Sequence, residues 1–247
     1  VFLWYLRQSH AITVLGQRQR DKLIEMGVDS NRIYIVPNTC ELDLEDEVKV
    51  ESKQSNQDKV KLLHLSLLIE SKGYPEFLEA LELLSQVSDL PCDIEAGLCG
   101  PMAFTAYCRR FTNEVTKEEW IESKITSICE REGSRVKVKW IRGAQGEEKS
   151  KLFRDAQIFV FPSTFPVEAQ PLVLLEAMAS GCALITSTVG EIPSTVDESL
   201  AILEANPTAE ALARDIKRLL ESPAERVRLG LGGVKRIREK YSVSAHL

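Results

Sequence analysis

The chain lacks any apolar run near the roughly 18 residues that a membrane-spanning helix needs. It has no basic surplus either: its formal net charge is -6, whereas a nucleic-acid binder usually carries an excess of Lys and Arg. Its six cysteines, at 40, 92, 99, 108, 129 and 182, form no C-x-x-C pair and no ligand-like spacing, which argues against a zinc module or a disulfide scaffold. Cys92, Cys99 and Cys182 fall in apolar strand-like runs, where a free thiol behaves as a small hydrophobe. No Asp-x-Asp pair occupies a strand-end loop, so no metal site is expected. The acidic Glu45-Asp46-Glu47 reads as a solvated charge run. Internal repeats and low-complexity tracts are missing too. The opening VFLWYLRQSH has neither the basic lead nor the cleavage pattern of a secretory leader. It starts without Met, in what reads as mid-element, as a fragment would. Together these absences describe a reduced, cytoplasmic globular protein; 44% hydrophobic and 28% charged residues are ordinary for that class.

What is present is an alternation of strand and helix patterns, which predicts an α/β fold with a parallel sheet covered on both faces. Ala11–Leu15, Gln17–Met26 and Arg32–Val36 read as a first β-α-β, with Gly27 as the helix stop. Residues 41–58 are acidic and polar, with Leu42, Leu44 and two valines as the only large apolar side chains, and read as an interdomain linker. A second unit begins at Lys61. Leu62–Ile69 is an apolar strand, followed by Ser71-Lys72-Gly73 and a helix carrying Phe77, Leu78, Leu81 and Leu84 on one stripe and Glu76, Glu79 and Glu82 opposite. Asp93–Cys99 is a strand whose Asp93 and Glu95 share a solvated face. Met102–Trp120 is long for a connection. Its aromatics at 104, 107, 111 and 120 and its Arg109-Arg110 pair suggest an extra helix packing its own rings, with a lid or acceptor-side surface as the alternative. Lys124–Cys129 and Glu147–Phe153 read as helices on either side of a strand at Val136–Ile141. Near the end, Leu200–Leu203 is a strand, and Asn206-Pro207 caps a helix that points Leu212, Ile216, Leu219 and Leu220 inward. Ser222-Pro-Ala-Glu225 is a capping box. The helix it opens runs to about Lys240 and interleaves bases from Arg226 onward with Val227, Leu231, Val234 and Ile237. An ordinary surface helix is the favoured reading, with peripheral contact at the inner face of a membrane as the alternative.

The chain is organised around Ile158–Thr186, which reads as strand, loop, helix, tight turn and strand. Ile158–Phe161 is the short apolar run a two-sided parallel sheet requires. Pro162 and Pro166 end it, Pro171 suits the first turn of a helix, and Gly181 closes that helix. Leu172, Val173, Leu174, Leu175, Ala177, Met178 and Ala179 are apolar on every side, the mark of a buried helix. Glu176 sits among them, and a buried carboxylate without partners is costly. Glu168 lies in the loop that delivers the chain to this helix, and the amides of Leu172 and Val173 open at the positive end of its dipole. Two carboxylates beside an anion-attracting helix start suit a molecule that carries both hydroxyls and phosphates, such as a nucleotide sugar. The plainer alternative has Glu176 reaching solvent or paired with a structural base. Lys72, at the carboxyl end of a strand where open α/β sheets bind ligands, is a candidate cation for a diphosphate.

The segment from Glu168 to Gly181, EAQPLVLLEAMASG, resembles the paired-glutamate signature of retaining glycosyltransferases of family 4, which have the GT-B fold. The flanking FVFPS and CALITSTVGEIP resemble that family's surroundings as well, and VLGQRQRDKLIEMGVDSNRIYIVPN is similar to the last β-α-β of its N-terminal domain. The resemblance implies residues 1–40 as the remnant of an acceptor-side Rossmann-like domain, 41–58 as linker and 59–247 as the nucleotide-sugar-binding domain. It implies transfer of a sugar, with retention, from a UDP- or GDP-sugar to an acceptor hydroxyl of a glycan or lipid-linked glycan, with no cofactor. In that scheme Glu168 grips donor-sugar hydroxyls, Glu176 accepts hydrogen bonds from the ribose, and Lys72 stabilises the departing diphosphate. Ser66, Gly73, Ala169, Gln170, Leu172 and Val173 are the further donor-contacting positions. Lys72-Gly73 matches the family's phosphate motif, but Ser66-Leu67 stands where the family has Gly-Arg, so one phosphate cation is missing. No general base is found: His10 lies in the first unit, His64 inside a strand and His246 at the end. The family's acceptor pocket lies largely in the N-terminal domain, so the resemblance implies that this chain alone is inactive. A binding module without turnover, or an epimerase of the same fold, are the alternative functions.

Overall fold

In the computed structural model, which describes residues 2–105 and 108–245, the expected alternation is realised as two parallel sheets. The smaller pairs β1 (Ile12–Val14) with β2 (Ile33–Ile35) across α2 (Gln17–Glu25), behind an unforeseen first helix, α1 (Phe2–Gln8). Its own small core is Val14, Val28 and Ile33.

The larger sheet has the order β5-β4-β3-β6-β7-β8. Its strands are β3 (Lys59–Leu65), β4 (Asp93–Cys99), β5 (Val136–Ile141), β6 (Ile158–Phe161), β7 (Ala183–Ser187) and β8 (Ala201–Glu204). Because side chains alternate across a strand, Leu62, Ile94, Ile158 and Val160 face one hydrophobic core while Leu63, Cys99, Phe159 and Phe161 face the other. The first core is closed by α4 (Tyr74–Leu84), α5 (Glu114–Glu130) and α9 (Ala209–Glu221), the second by α6 (Gly146–Asp155) and α7 (Leu172–Ala179). The strand order reverses beside β3: the chain runs outward from β3 through β4 to β5, then crosses back to β6 on the other side of β3 and runs outward again to β8. That switch point is where open α/β sheets leave a crevice at their carboxyl ends.

Several expectations need correcting. The strand expected over Leu62–Ile69 ends at Leu65, because Leu68 leaves the ladder to form an isolated bridge with Met102. The 41–58 stretch contains a helix, α3 (Glu47–Gln54), with Asp46 as its N-cap. Val50 of α3 is fully buried, against Gly181 and Gly230, where a Cβ would crowd its methyls. The last basic helix, α10 (Pro223–Arg236), opens with Ser222 capping Glu225 N as the capping box predicts. Its first base, however, is fully buried. The Arg226 guanidinium donates to the carbonyls of Leu219, Leu220, Gln54 and Asn56 at 2.6–3.2 Å, so it neutralises the carbonyl-rich C-terminal ends of α9 and α3 at once. Other bases there are paired along the surface, Arg236 with Asp197 and Arg238 with Glu47. The cap of α9 is the Thr208 hydroxyl, not Asn206-Pro207. Between Met102 and Trp120 no separate helix forms among the described residues: α5 begins at Glu114 and runs on through the helix expected at 124–129, while the aromatics do pack, with the Arg110 guanidinium 4.3 Å from the Trp120 ring and Phe111 against that ring. Glu70 anchors this connection by accepting the amides of Arg109, Arg110 and Phe111. Tyr107 and His246 lie outside the described residues. Among the described residues no helix is long and apolar enough to cross a membrane.

Candidate functional site

The loops after β3 and β6 are stitched together before they present any chemistry. After the turn Glu70–Lys72, Gly73 has φ of 82° and sits so close to Pro162 that a Cβ would run into its backbone. Thr164 N donates to Ser71 O at 2.7 Å. The result is that Lys72 and the loop before α7 face each other. The Lys72 ammonium lies 2.6 Å from Glu168 Oε2, and the Ser163 hydroxyl donates to the same oxygen at 2.6 Å. Lys72 Nζ also stands 4.8 Å from the centre of the Phe165 ring and 5.5 Å from that of Phe161, so cation–π attraction adds to the ion pair. The two side chains are 17% and 7% exposed. A pair this buried is costly to break one partner at a time, since the survivor stays desolvated and unmatched.

The second acid has its own base. Glu176 Oε1 accepts from Lys149 Nζ at 2.6 Å, while its Oε2 is buried with no hydrogen-bond partner. Glu176 lines a cavity of about 280 Å³ with Asn38, Thr39, Cys40 and Leu172. Lys149 lines a cleft of about 850 Å³ with Ser66, Leu67, Gly100 and Val173 at the carboxyl ends of the strands. The Lys149–Glu176 pair thus joins the small cavity to the large cleft.

The remaining expected positions divide. Ser66 and Val173 line the cleft. Leu172, expected to be buried, is 52% exposed, because the first turn of α7 opens toward the crevice while only its later residues enter the core. Gly73 contributes its backbone shape. Ala169 is half-buried. The Gln170 amide accepts from Asn38 N at 2.6 Å and donates to Thr195 Oγ1 at 3.2 Å; it ties the segment between the two sheets to the site. Lys149 and Ser163 escaped the sequence reading. The one signal for Lys149 was its place shortly after the carboxyl end of a strand, the same argument that singled out Lys72.

His64 is structural, as expected. It is fully buried in β3, stacked on Phe77, and its Nδ1 lies 3.0 Å from Val160 O. Burial pushes its pKa down to about 4, and Lys72 nearby pushes the same way. The folded chain therefore binds this proton less well than the unfolded chain does. Stability is present in full above about pH 6.5 and is lost as pH falls from there to about 4. The expected slope is at most about 1.4 kcal/mol per pH unit. Melting curves across that window should show the extra slope in the natural chain and not in His64→Asn; equal slopes would contradict it.

Comparison with known proteins identifies the fold and the family. A stretch of 102 residues, 40% of the chain, is 35% identical to the MMP alpha-(1->4)-mannosyltransferase of Mycolicibacterium hassiacum and covers 24% of it. Among solved structures the chain is similar to Anabaena HepE in complex with UDP and glucose, with a TM-score of 0.71, 17% identity and coverage of 97% of this chain and 61% of that one. Sucrose-phosphate synthase of Thermosynechococcus elongatus gives a TM-score of 0.69 at 21% identity, covering 99% and 57%. The chain thus spans about 60% of these structures, and they share the GT-B fold. Residues 45–236 match the family model described as glycosyl transferases group 1, and the chain belongs to that family.

Proposed function

We propose that this chain is the donor-binding part of a retaining glycosyltransferase of family 4, moving a hexose from a UDP- or GDP-sugar to a hydroxyl of a glycan or lipid-linked acceptor. The observation that carries the reading is the pair of acid–lysine contacts at the strand ends, Lys72–Glu168 and Lys149–Glu176. Glu168 would hold donor-sugar hydroxyls. Glu176 would offer its unpartnered Oε2 to a ribose hydroxyl. Lys72 and the first amides of α7 would meet the charge that grows on the departing diphosphate, where electrostatic stabilisation counts most. No metal enters this scheme. The matches to a mannosyltransferase and to a protein crystallised with UDP and glucose support the donor class.

One observation favours the module without turnover. Leu67, at the position where the family's second phosphate cation stands, is 55% exposed and lines the cleft. The complete protein given UDP-glucose or GDP-mannose decides between the two. Release of free nucleotide only when an acceptor is added is the expected result. Binding without release under every acceptor condition would leave the module.

A further inference from the structure

We propose that Glu191 is a positioning residue: it fastens the small β1–α2–β2 unit to the loop that supports Glu168, so that docking of the two units sets the donor carboxylate. The inference rests on the reading of Glu168 as a donor-sugar ligand.

The argument starts at the head of α2. Its N-cap is Gly16, in extended conformation and with no side chain to cap the helix. The first amides of a helix lack intrahelical acceptors, and a residue such as Ser or Asp usually supplies one. Here the acceptor comes from the other unit. Glu191 Oε1 accepts from Gln19 N, and Oε2 accepts from Arg18 N at 3.3 Å and from the Ser194 hydroxyl at 2.7 Å. Gly16 is what makes room, since a Cβ there would collide with the carboxylate. The Arg18 guanidinium reinforces the junction by donating to Gly190 O at 2.8 Å and Thr188 O at 3.1 Å. Glu191 is 1% exposed, so this charge is matched by the helix start it caps.

The same residue reaches Glu168 through its backbone. Glu191 N donates to Glu168 O at 3.1 Å. Gly190, with φ of 54°, packs so tightly on that carbonyl that a Cβ would overlap it. One residue therefore holds α2 with its side chain and Glu168 with its amide. If the units part, both contacts loosen together.

The test uses hydrogen exchange of the 247-residue chain in two variants. Glu191→Ala removes the tie and the cap. Gly16→Ser supplies α2 with a local cap and crowds the Glu191 carboxylate out, so it breaks the tie while keeping the helix start satisfied. Both should speed exchange in residues 163–171 by at least about tenfold and leave β3, β4 and β5 within about twofold. In the complete protein, with UDP-glucose or GDP-mannose as donor, both should lower kcat while the Kd for UDP or GDP stays within about twofold. A merely structural role would instead raise exchange evenly through the chain. That outcome, or unchanged exchange at 163–171 in both variants, overturns the proposal. The exchange result needs no nucleotide, so it stands apart from any failure of the donor reading.

Discussion

Glu168→Gln is expected to lower kcat for sugar transfer by about a hundredfold to a thousandfold, with the fold retained. Gln keeps the size of the side chain and one acceptor oxygen, so the Ser163 hydroxyl can still donate to it. What it removes is the charge opposite Lys72, whose ammonium lies 2.6 Å from Glu168 with both side chains largely buried. Lys72 keeps its places near the Phe165 and Phe161 rings, which limits the structural damage. Under the proposed function two losses follow in the reaction. The donor sugar loses a charged acceptor for its hydroxyls, and a hydrogen bond to a charged group is worth about twice a neutral one. Lys72 also loses the partner that fixes its position for the diphosphate. Steady-state kinetics on the complete protein, alongside a melting curve, measures both effects. A kcat within threefold of the natural protein would remove Glu168 from the donor site, and a collapsed melting curve would mean that the pair is needed for folding first.

Much of this architecture was legible in the sequence because it is written in local patterns. β4, β5 and β6 fall where the apolar runs and their flanking turn residues put them. Gly181 takes the left-handed conformation, φ 67°, that its place after an apolar helix implies. The inward leucines of α9 are buried, as their spacing requires. What stayed hidden depends on partners far along the chain. α3 buries only Val50 and Gln54, one apolar residue in an acidic stretch. Its seat is made by glycines at 181 and 230, which no local period reveals. Arg226 looked like one more solvated base because its partners are backbone carbonyls, identical in every residue. Leu172 shows the limit of the period argument itself: a helix apolar on all sides is read as buried, but its first turn can border a crevice instead. Glu168 and Glu176 were visible as types at a spacing, whereas Lys149 and Glu191 became visible only when the loops were brought together.

The proposed nucleotide half of the site is tested by Glu176 and Lys149. Glu176→Ala should weaken binding of UDP or GDP by about tenfold to a hundredfold, the range for losing a hydrogen bond to a charged group. Lys149→Met should weaken it as well, for a different reason. It leaves the Glu176 carboxylate, 17% exposed, with no countercharge beside an anionic ligand, and an uncompensated charge there repels the diphosphate. The two effects therefore cannot add. Adding Glu176→Ala to Lys149→Met removes the orphaned charge and should restore part of the affinity that Lys149→Met alone loses, whereas independent sites would add to within about 0.5 kcal/mol. Titration calorimetry of the four proteins with UDP and with GDP closes the cycle. Because the repulsion is electrostatic, the loss in Lys149→Met should also shrink as salt is raised. Unchanged affinity in all three variants would mean that Lys149 and Glu176 form a pair far from the bound nucleotide, and that Oε2 of Glu176 is unpartnered for a reason unconnected with the ribose; additive losses with no salt dependence would rule out the repulsion.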